Sequence, residues 1–381
     1  MEYYKIDNSN SLELFKKIGS DATGSKIMSK KTDSHLLYIK NMNVGAGNIL
    51  KQDALSVGAD LAVPMGTILA KDKYIDAILM GTTKQFEQLS KKELAQPFGL
   101  KGLAKELKSF VKTKKFPTKI MGIINANDDS FFSKSRFCGQ SAIDATLQMI
   151  DDGANIIDIG AVSSRPGSVE VSPKEELTRI KPICDAIKQN KLYEKAIFSI
   201  DSYTPSVIEY ALKSGFKIVN DITGLQNDEV AKITAKYDAS IVIMHMQKDP
   251  STMQDNPNYE NIIIDIDNFF KQRIQKAQEF GIKDIILDIG IGFGKTLEHN
   301  LTLLKNMEHF KHFGCEILIG ASRKSMIDKI VPSSTEQRLP GTLAIHLDSI
   351  KKGASIVRCH DVKEHYQAVK VQEAIEQSLP F

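Results

Sequence analysis

The sequence is short of cysteine, short of net charge and without long apolar runs, and each shortage removes a class of protein. Four cysteines stand in 381 residues, Cys138, Cys184, Cys315 and Cys359, far apart and with no CxxC pair. Four scattered cysteines make neither a disulfide framework nor a zinc motif, so these read as buried or bystander thiols of a reducing cytosol. No run of roughly 18 apolar residues occurs, so no membrane-spanning helix is expected. The opening MEYYKIDNSNSLELFKK has neither a basic start nor an apolar stretch, so no secretory signal is expected and the cytoplasm is the expected compartment. Lysine plus arginine number 50 against 47 aspartate plus glutamate, a net charge of +3 with the signs interspersed. So mild a balance gives no argument for a nucleic-acid partner and is compatible with a small anionic substrate.

What is present suits an ordinary globular chain, 42% hydrophobic and 25% charged. Its length accommodates an α/β barrel of about 250 residues with a second unit of roughly 100. The lysine-rich stretch VKTKKFPTK, with Pro117, separates 1–115 from 116–381. Beyond it come eight short apolar runs: KIMGIIN (119–125), IIDIGA (156–161), AIFSID (196–201), KIVNDI (217–222), SIVIMHM (240–246), DIILDIG (284–290), EILIGAS (316–322) and SIVRCHD (355–361). They are continuous rather than alternating, as parallel strands buried on both faces require. Helical patterns separate them; one opens on Ser172-Pro173 and another on Thr204-Pro205, each a cap residue followed by proline at the first helical position. The pattern predicts a (β/α)8 TIM barrel preceded by a small α/β N-terminal domain. In that domain, 35–42 and 74–82 read as strands, 63–68 as a third, and 84–96 and 100–112 as amphipathic helices; no catalytic motif marks it.

Seven of the eight runs end on a polar group: Asn125, Asp201, Asn220 with Asp221, His245, Asp288, Ser322, and His360 with Asp361. A parallel barrel gathers these ends at one mouth, where barrel active sites lie. Taken singly, each could simply cap the following helix. Together they form two groups. Asp201, Asn220 and Asp288, with Lys324, suit a planar heterocycle bearing N–H donors and a carbonyl. Arg165, Lys324, Arg358 and His360 suit phosphate oxygens, and Arg358 and His360 share a strand face. GIGFGKT (290–296) lacks phosphate-loop spacing and reads as a turn that lets backbone approach a flat ligand. Two polar loops, 127–137 and 162–171, could fold over a second, aromatic substrate.

In order along the chain, IMGIINANDDSF (120–131), GANIIDIGAVSSRPGS (153–168), FSIDSYTPSVIEYAL (198–212), IVNDITG (218–224), IVIMHMQKDPSTMQDNPNY (241–259), ILDIGIGFGKTLEHNLTLL (286–304), LIGASRKSMI (318–327) and IVRCHDV (356–362) resemble the dihydropteroate synthase family. The resemblance implies condensation of a dihydropterin pyrophosphate with p-aminobenzoate, with Mg2+ as cofactor, in a homodimer. It implies pterin contacts from Asp201, Asn220, Met244, Asp288, Phe293 and Lys324. Pyrophosphate contacts fall to Asn125, Arg358 and His360, with Asn125 also near the metal. Ser164, Arg165, Pro166 and Ser325 would form the p-aminobenzoate pocket, and Asp129, Ser130 and Phe131 a flexible loop. Asp201, Asp288, Lys324, Arg358 and His360 are the expected catalytic set. Asn127 and Asp128 depart from the family's Thr-Pro in the first loop. The common, shorter form of the family lacks the N-terminal unit.

Two alternatives remain at this stage. A pterin-dependent methyltransferase on a related barrel would share the acid and amide edge, but would not need Ser322-Arg323-Lys324 or Arg358-Cys359-His360-Asp361. A non-catalytic pterin-binding paralogue would be consistent with the altered first loop.

Overall fold

The computed structural model describes residues 1–126, 140–162, 171–249 and 252–380. The chain divides into two compact units, one of Met1–Thr113 with His312–Gly314 and Glu373–Phe381, the other of Lys114–Lys311 and Cys315–Gln372.

In the first unit a three-stranded antiparallel sheet runs in the order β1 (Ser34–Asn43), β3 (Tyr74–Thr82), β2 (Asp60–Ala62). Alternation along β3 buries Ile75, Ala77 and Leu79 against Leu50, Phe86, Leu89 and Leu107. The third strand is therefore 60–62 and not 63–68; Gly66 and Ala70 take left-handed backbone there and enclose a 3-10 turn, Thr67–Leu69, which no strand can follow. A helix at Val44–Ser56, absent from the sequence reading, packs Ala46, Leu50 and Ala54 into the same core. The Thr83–Lys92 helix opens on a reciprocal Thr82–Gln85 capping box.

The second unit is a closed barrel of eight parallel strands: β4 (Lys119–Asn125), β5 (Ile156–Gly160), β6 (Ile197–Asp201), β7 (Ile218–Asp221), β8 (Ser240–Met244), β9 (Ile285–Asp288), β10 (Glu316–Ile319) and β11 (Ile356–Cys359). β4 and β11 close it, with Arg358 opposite Met121. Inward side chains of seven strands, Met121, Ile156, Ile218, Val242, Ile286, Leu318 and Ile356, form one apolar layer. That layer plugs the interior, so polar residues further along the same strands are raised to the C-terminal mouth. No helix among the described residues is long and apolar enough to cross a membrane.

Ser172 caps the Pro173–Gln189 helix as expected, its hydroxyl accepting from the Glu175 N–H. Thr204 precedes Pro205 at its helix start, but its side chain does not cap. Instead Thr204 Oγ1 donates to Glu176 Oε2 at 2.5 Å while Ser202 Oγ donates to Glu176 Oε1 at 2.6 Å. Glu176 is 3% exposed, so these hydroxyls supply the donors that its burial demands. Thr204→Val is expected to lower stability by about 1–2 kcal/mol in urea unfolding while Thr204→Ser stays near wild type. Equal stability of the two variants would mean that Glu176 does not need this hydroxyl.

Candidate active site

The strand register sets the first part of the site. Asn125 lies beside Gly160, Gly160 beside Asp201 and Asp201 beside Asn220, so the ends of β4 to β7 present one row. A side chain at Gly160 would press on the Asp201 Cβ. Two residues below Gly160, on the same face, Asp158 is fully buried and serves as a hub. Arg358 Nε donates to Asp158 Oδ2 at 2.6 Å, Arg358 Nη2 donates to Asp201 Oδ2 at 2.7 Å, and Asn220 Nδ2 donates to Asp158 Oδ2 at 3.0 Å. Burial pushes the Asp201 carboxyl up to about 7; Arg358 opposes the rise, and the charges of Asp158, Glu176 and Asp221 add to it. The same two carboxylates hold Arg358 firmly protonated.

The second part follows β9. Asp288 accepts from the Gly290 N–H at 2.7 Å, and burial raises its carboxyl against the pull of Lys324. Met244 is its register neighbour on β8. Gly290 has φ +66°, and a Cβ there would collide with the His245 carbonyl. The turn is held from inside by Lys295, 3% exposed, whose ammonium donates to His245 O at 3.1 Å, Gly290 O at 3.0 Å and Phe293 O at 2.9 Å, with His245 Nδ1 at 3.0 Å. Its amine is therefore a backbone brace and not a phosphate lysine, and burial lowers it to about 7. From outside, Gln254 Nε2 donates to Gly292 O and Tyr259 OH to Gly294 O, both at 2.7 Å. Lys324 bonds to Ile291 O, and its Nζ lies 4.4 Å from the Phe293 ring centroid, a cation–π contact over a half-buried aromatic. Burial lowers this lysine to about 8, opposed by Asp288.

The third part joins the ends of β10 and β11. Ser322 Oγ lies 2.8 Å from His360 Nδ1. Burial, with Arg358 close by, brings His360 down to about 3, so it stands as a neutral imidazole. Arg323 grips Asp361 through Nε and Nη2 at 2.9 and 2.6 Å, and its Nη1 donates to the Thr335 and Glu336 carbonyls.

Comparison with known proteins matches residues 121–360 to the pterin binding enzyme family. A bifunctional dihydropteroate synthase/dihydropteroate reductase of Helicobacter pylori is 42% identical over 363 residues, 95% of this chain and 96% of that protein. A dihydropteroate synthase of Escherichia coli K12 is 40% identical over 260 residues, 67% of this chain and 90% of that protein. The chain belongs to the dihydropteroate synthase family. Among solved structures, the Yersinia pestis dihydropteroate synthase in complex with a sulfonamide drug superposes with a TM-score of 0.65 at 36% identity, covering 69% of this chain and 95% of that one.

Of the residues that the dihydropteroate synthase motifs single out, the structure ties Asp201, Asn220 and Arg358 together through Asp158, and sets Lys324 on Phe293 in the turn after Asp288. His360 stands with Ser322, Asn125 ends β4, and Ser325 begins the Ser325–Ile330 helix. Asp129, Ser130, Phe131, Ser164, Arg165 and Pro166, like Asn127 and Asp128, lie outside the described residues. Asp158 escaped the sequence reading because it sits in mid-strand rather than at a strand end; an acid inside the run IIDIGA was the available signal. Lys295 was read only as part of a glycine-rich turn. Gly290→Ala is expected to lose at least about 2 kcal/mol, from left-handed strain and displacement of the His245 carbonyl. A urea midpoint equal to wild type would contradict that packing.

Proposed function

We infer that the chain joins 6-hydroxymethyl-7,8-dihydropterin pyrophosphate to p-aminobenzoate, giving 7,8-dihydropteroate and pyrophosphate for folate biosynthesis. The observation that carries this reading is the meeting of Asp201, Asn220, Asp288, Lys324 and Arg358 at one barrel mouth in a chain of this family. Asp201, Asn220 and Asp288 hold the N–H and carbonyl edge of the pterin, with Met244 and Phe293 against its ring and Lys324 beside it. Arg358 has no described partner at Nη1, which suits an oxygen of the leaving group, and His360 and Asn125 line the same side. The bond from the pterin methylene to the pyrophosphate oxygen breaks with its electron pair leaving on that oxygen. The electron-rich ring stabilises the methylene cation, and the p-aminobenzoate nitrogen attacks it and then loses a proton. Arg358 stabilises the departing charge through a preset hydrogen bond. Ser325, Ser164, Arg165 and Pro166 are the proposed p-aminobenzoate contacts, with Asp129, Ser130 and Phe131 proposed to act beside them.

Mg2+ keeps most of its waters and takes one or two protein oxygens with substrate phosphates. The amide oxygen of Asn125 at the end of β4 is a hard donor of that kind, so the residues present fit the ion and Asn125 would hold it. When bound, it supplies positive charge against the leaving pyrophosphate. We assign the protein to the cytoplasm as a homodimer, which sedimentation of the purified chain tests. Pyrophosphate release should require both substrates and stop on chelation; no dihydropteroate from both substrates with Mg2+ would end the synthase reading.

Asp201→Asn gives a second test with the sign fixed. The folded carboxyl is raised to about 7, so its proton binds more tightly in the folded chain, and stability falls as pH climbs from the unfolded value of 3.8 towards 7. The substitution should cut kcat/KM roughly a hundredfold through loss of a charge-assisted bond. It should leave Tm at pH 8 unchanged or higher and flatten the pH dependence of stability. A large Tm loss at pH 8 would show that the ionised carboxylate is stabilising instead.

A second activity is favoured by one observation: the Helicobacter pylori relative aligns over 95% of this chain, whereas the Escherichia coli synthase aligns over 67%. We propose that this chain, too, reduces dihydropteroate. The pterin C=N bond would take a hydride at carbon, from a reduced nicotinamide or flavin, and a proton at nitrogen. Full-length protein given dihydropteroate with either donor should form tetrahydropteroate; no donor oxidation above background removes this activity and leaves the synthase reading untouched.

A further inference from the structure

We propose that His346 and His365 are positioning residues that lock the turn carrying Ser322, Arg323 and Lys324 to the strand end carrying Arg358 and His360. The proposal rests on the synthase reading for its effect on substrate, but its geometry stands on its own.

His346 lies on the Leu339–Lys351 helix and His365 on the Val362–Gln377 helix, each 1% exposed. Between them runs an unbroken hydrogen-bonded chain. The Ala321 N–H donates to His346 Nε2 at 3.1 Å, His346 Nδ1 lies 2.9 Å from His365 Nε2, and His365 Nδ1 lies 2.6 Å from the Asp361 carbonyl. A backbone N–H can only donate and a carbonyl can only accept. His346 Nε2 is therefore bare, so its proton sits on Nδ1 and is donated to His365 Nε2. That nitrogen is bare in turn, and the proton of His365 sits on Nδ1 and is donated to Asp361. One arrangement satisfies every atom, with both rings neutral and both in the Nδ1–H form. A further proton on either ring would set two hydrogens face to face. Burial, with Lys324 near His346 and Arg323 near His365, also favours the neutral rings, against the pull of Asp361 and Glu364.

The two ends of this chain are adjacent to the site. Ala321 is followed by Ser322, whose hydroxyl meets His360, by Arg323, which grips Asp361, and by Lys324, which lies over Phe293. Asp361 directly follows His360. Each histidine approaches from its own helix. Two apolar side chains would fill the same space without burying four ring nitrogens. What the polar pair adds is a single permitted geometry, because a fully satisfied buried network fixes direction as well as distance.

The test uses the full chain labelled with 15N-histidine and two variants. Both rings should show a protonated Nδ1 and a bare Nε2, with no titration between about pH 8 and 5.5. A ring with its proton on Nε2, or one titrating in that window, overturns the proposal. His346→Leu, which leaves the Ala321 N–H without an acceptor, should lose about tenfold in calorimetric affinity for the pterin pyrophosphate and in kcat/KM per folded molecule. His346→Gln, which can again accept from Ala321 and donate to His365, should recover both to within about threefold. A lowered Tm with wild-type kcat/KM in His346→Leu would make the pair merely structural. Equal loss in both variants also overturns it. Should His346→Leu fail to fold, the ring spectra and His346→Gln still decide. A wild-type chain that makes no dihydropteroate would defeat the synthase reading while the ring spectra judged the lock separately.

Discussion

Arg358 lies in the barrel mouth with Nε 2.6 Å from Asp158 and Nη2 2.7 Å from Asp201, and the rest of the site is arranged around the need to neutralise it. A guanidinium removed from water needs a carboxylate with good hydrogen-bond geometry. Here two share it, so the local balance tips negative. The Asn220 amide, donating to Asp158, absorbs part of that excess, and burial, with the remaining negative charge adding to it, raises Asp201 to about 7. Asp201 is thus the less strongly held of the two carboxylates. Asp158, fully buried and bonded to both Arg358 and Asn220, is the fixed one. This division gives a reason for both acids: Asp158 anchors the arginine, and Asp201, raised by burial, shares it at the strand end.

Across the mouth the problem is reversed, because a buried lysine, Lys295, and a half-buried one, Lys324, lie near Asp288. Lys295 is satisfied by the carbonyls of His245, Gly290 and Phe293, and Lys324 by Ile291 O and the Phe293 face. Both are depressed by burial, to about 7 and about 8, so this side holds less positive charge than a count of lysines suggests. The turn is shaped accordingly. The Gly290 and Phe293 carbonyls turn inward to Lys295, Gly290 takes left-handed backbone, and Phe293 lies beneath Lys324. The flat face offered to a ligand is thus a consequence of how one buried ammonium is solvated by backbone.

The barrel was legible in the sequence because its strands are buried on both faces, which turns each into an unbroken apolar run with its polar residue at the end. That signal located Asp201, Asn220, Asp288 and His360. It missed Asp158, whose inward position in mid-strand shows only once the closed barrel sets it near Arg358. Thr204 differs for a related reason: Thr-Pro marks a helix start, but the hydroxyl is oriented to donate to Glu176, which another element supplies. In the N-terminal unit the Val44–Ser56 helix went unseen because Gly45 and Gly47 weaken its propensity. A Cβ at Gly47 would meet Ile75 and Met42, so that glycine serves close packing against the sheet. The strand expected at 63–68 shows the reverse error, since apolar residues there sit in a turn set by left-handed Gly66 and Ala70.

The ends of β10 and β11 are held by two kinds of bond with different tolerances. Arg323 grips Asp361 with two parallel hydrogen bonds between opposite charges, and the pair is braced by the Thr335 and Glu336 carbonyls, so it secures proximity. The histidine pair carries no net charge and gains only from alignment, because each ring nitrogen has one permitted role. Proximity alone would leave Lys324 and His360 free to slide by fractions of an ångström, which matters where a bound ring must meet a leaving group in line. An ionic clasp combined with a directional neutral one constrains both distance and orientation. It does so without adding charge to a mouth where Asp201, Asp288 and Lys324 are already held away from their ordinary ionisation.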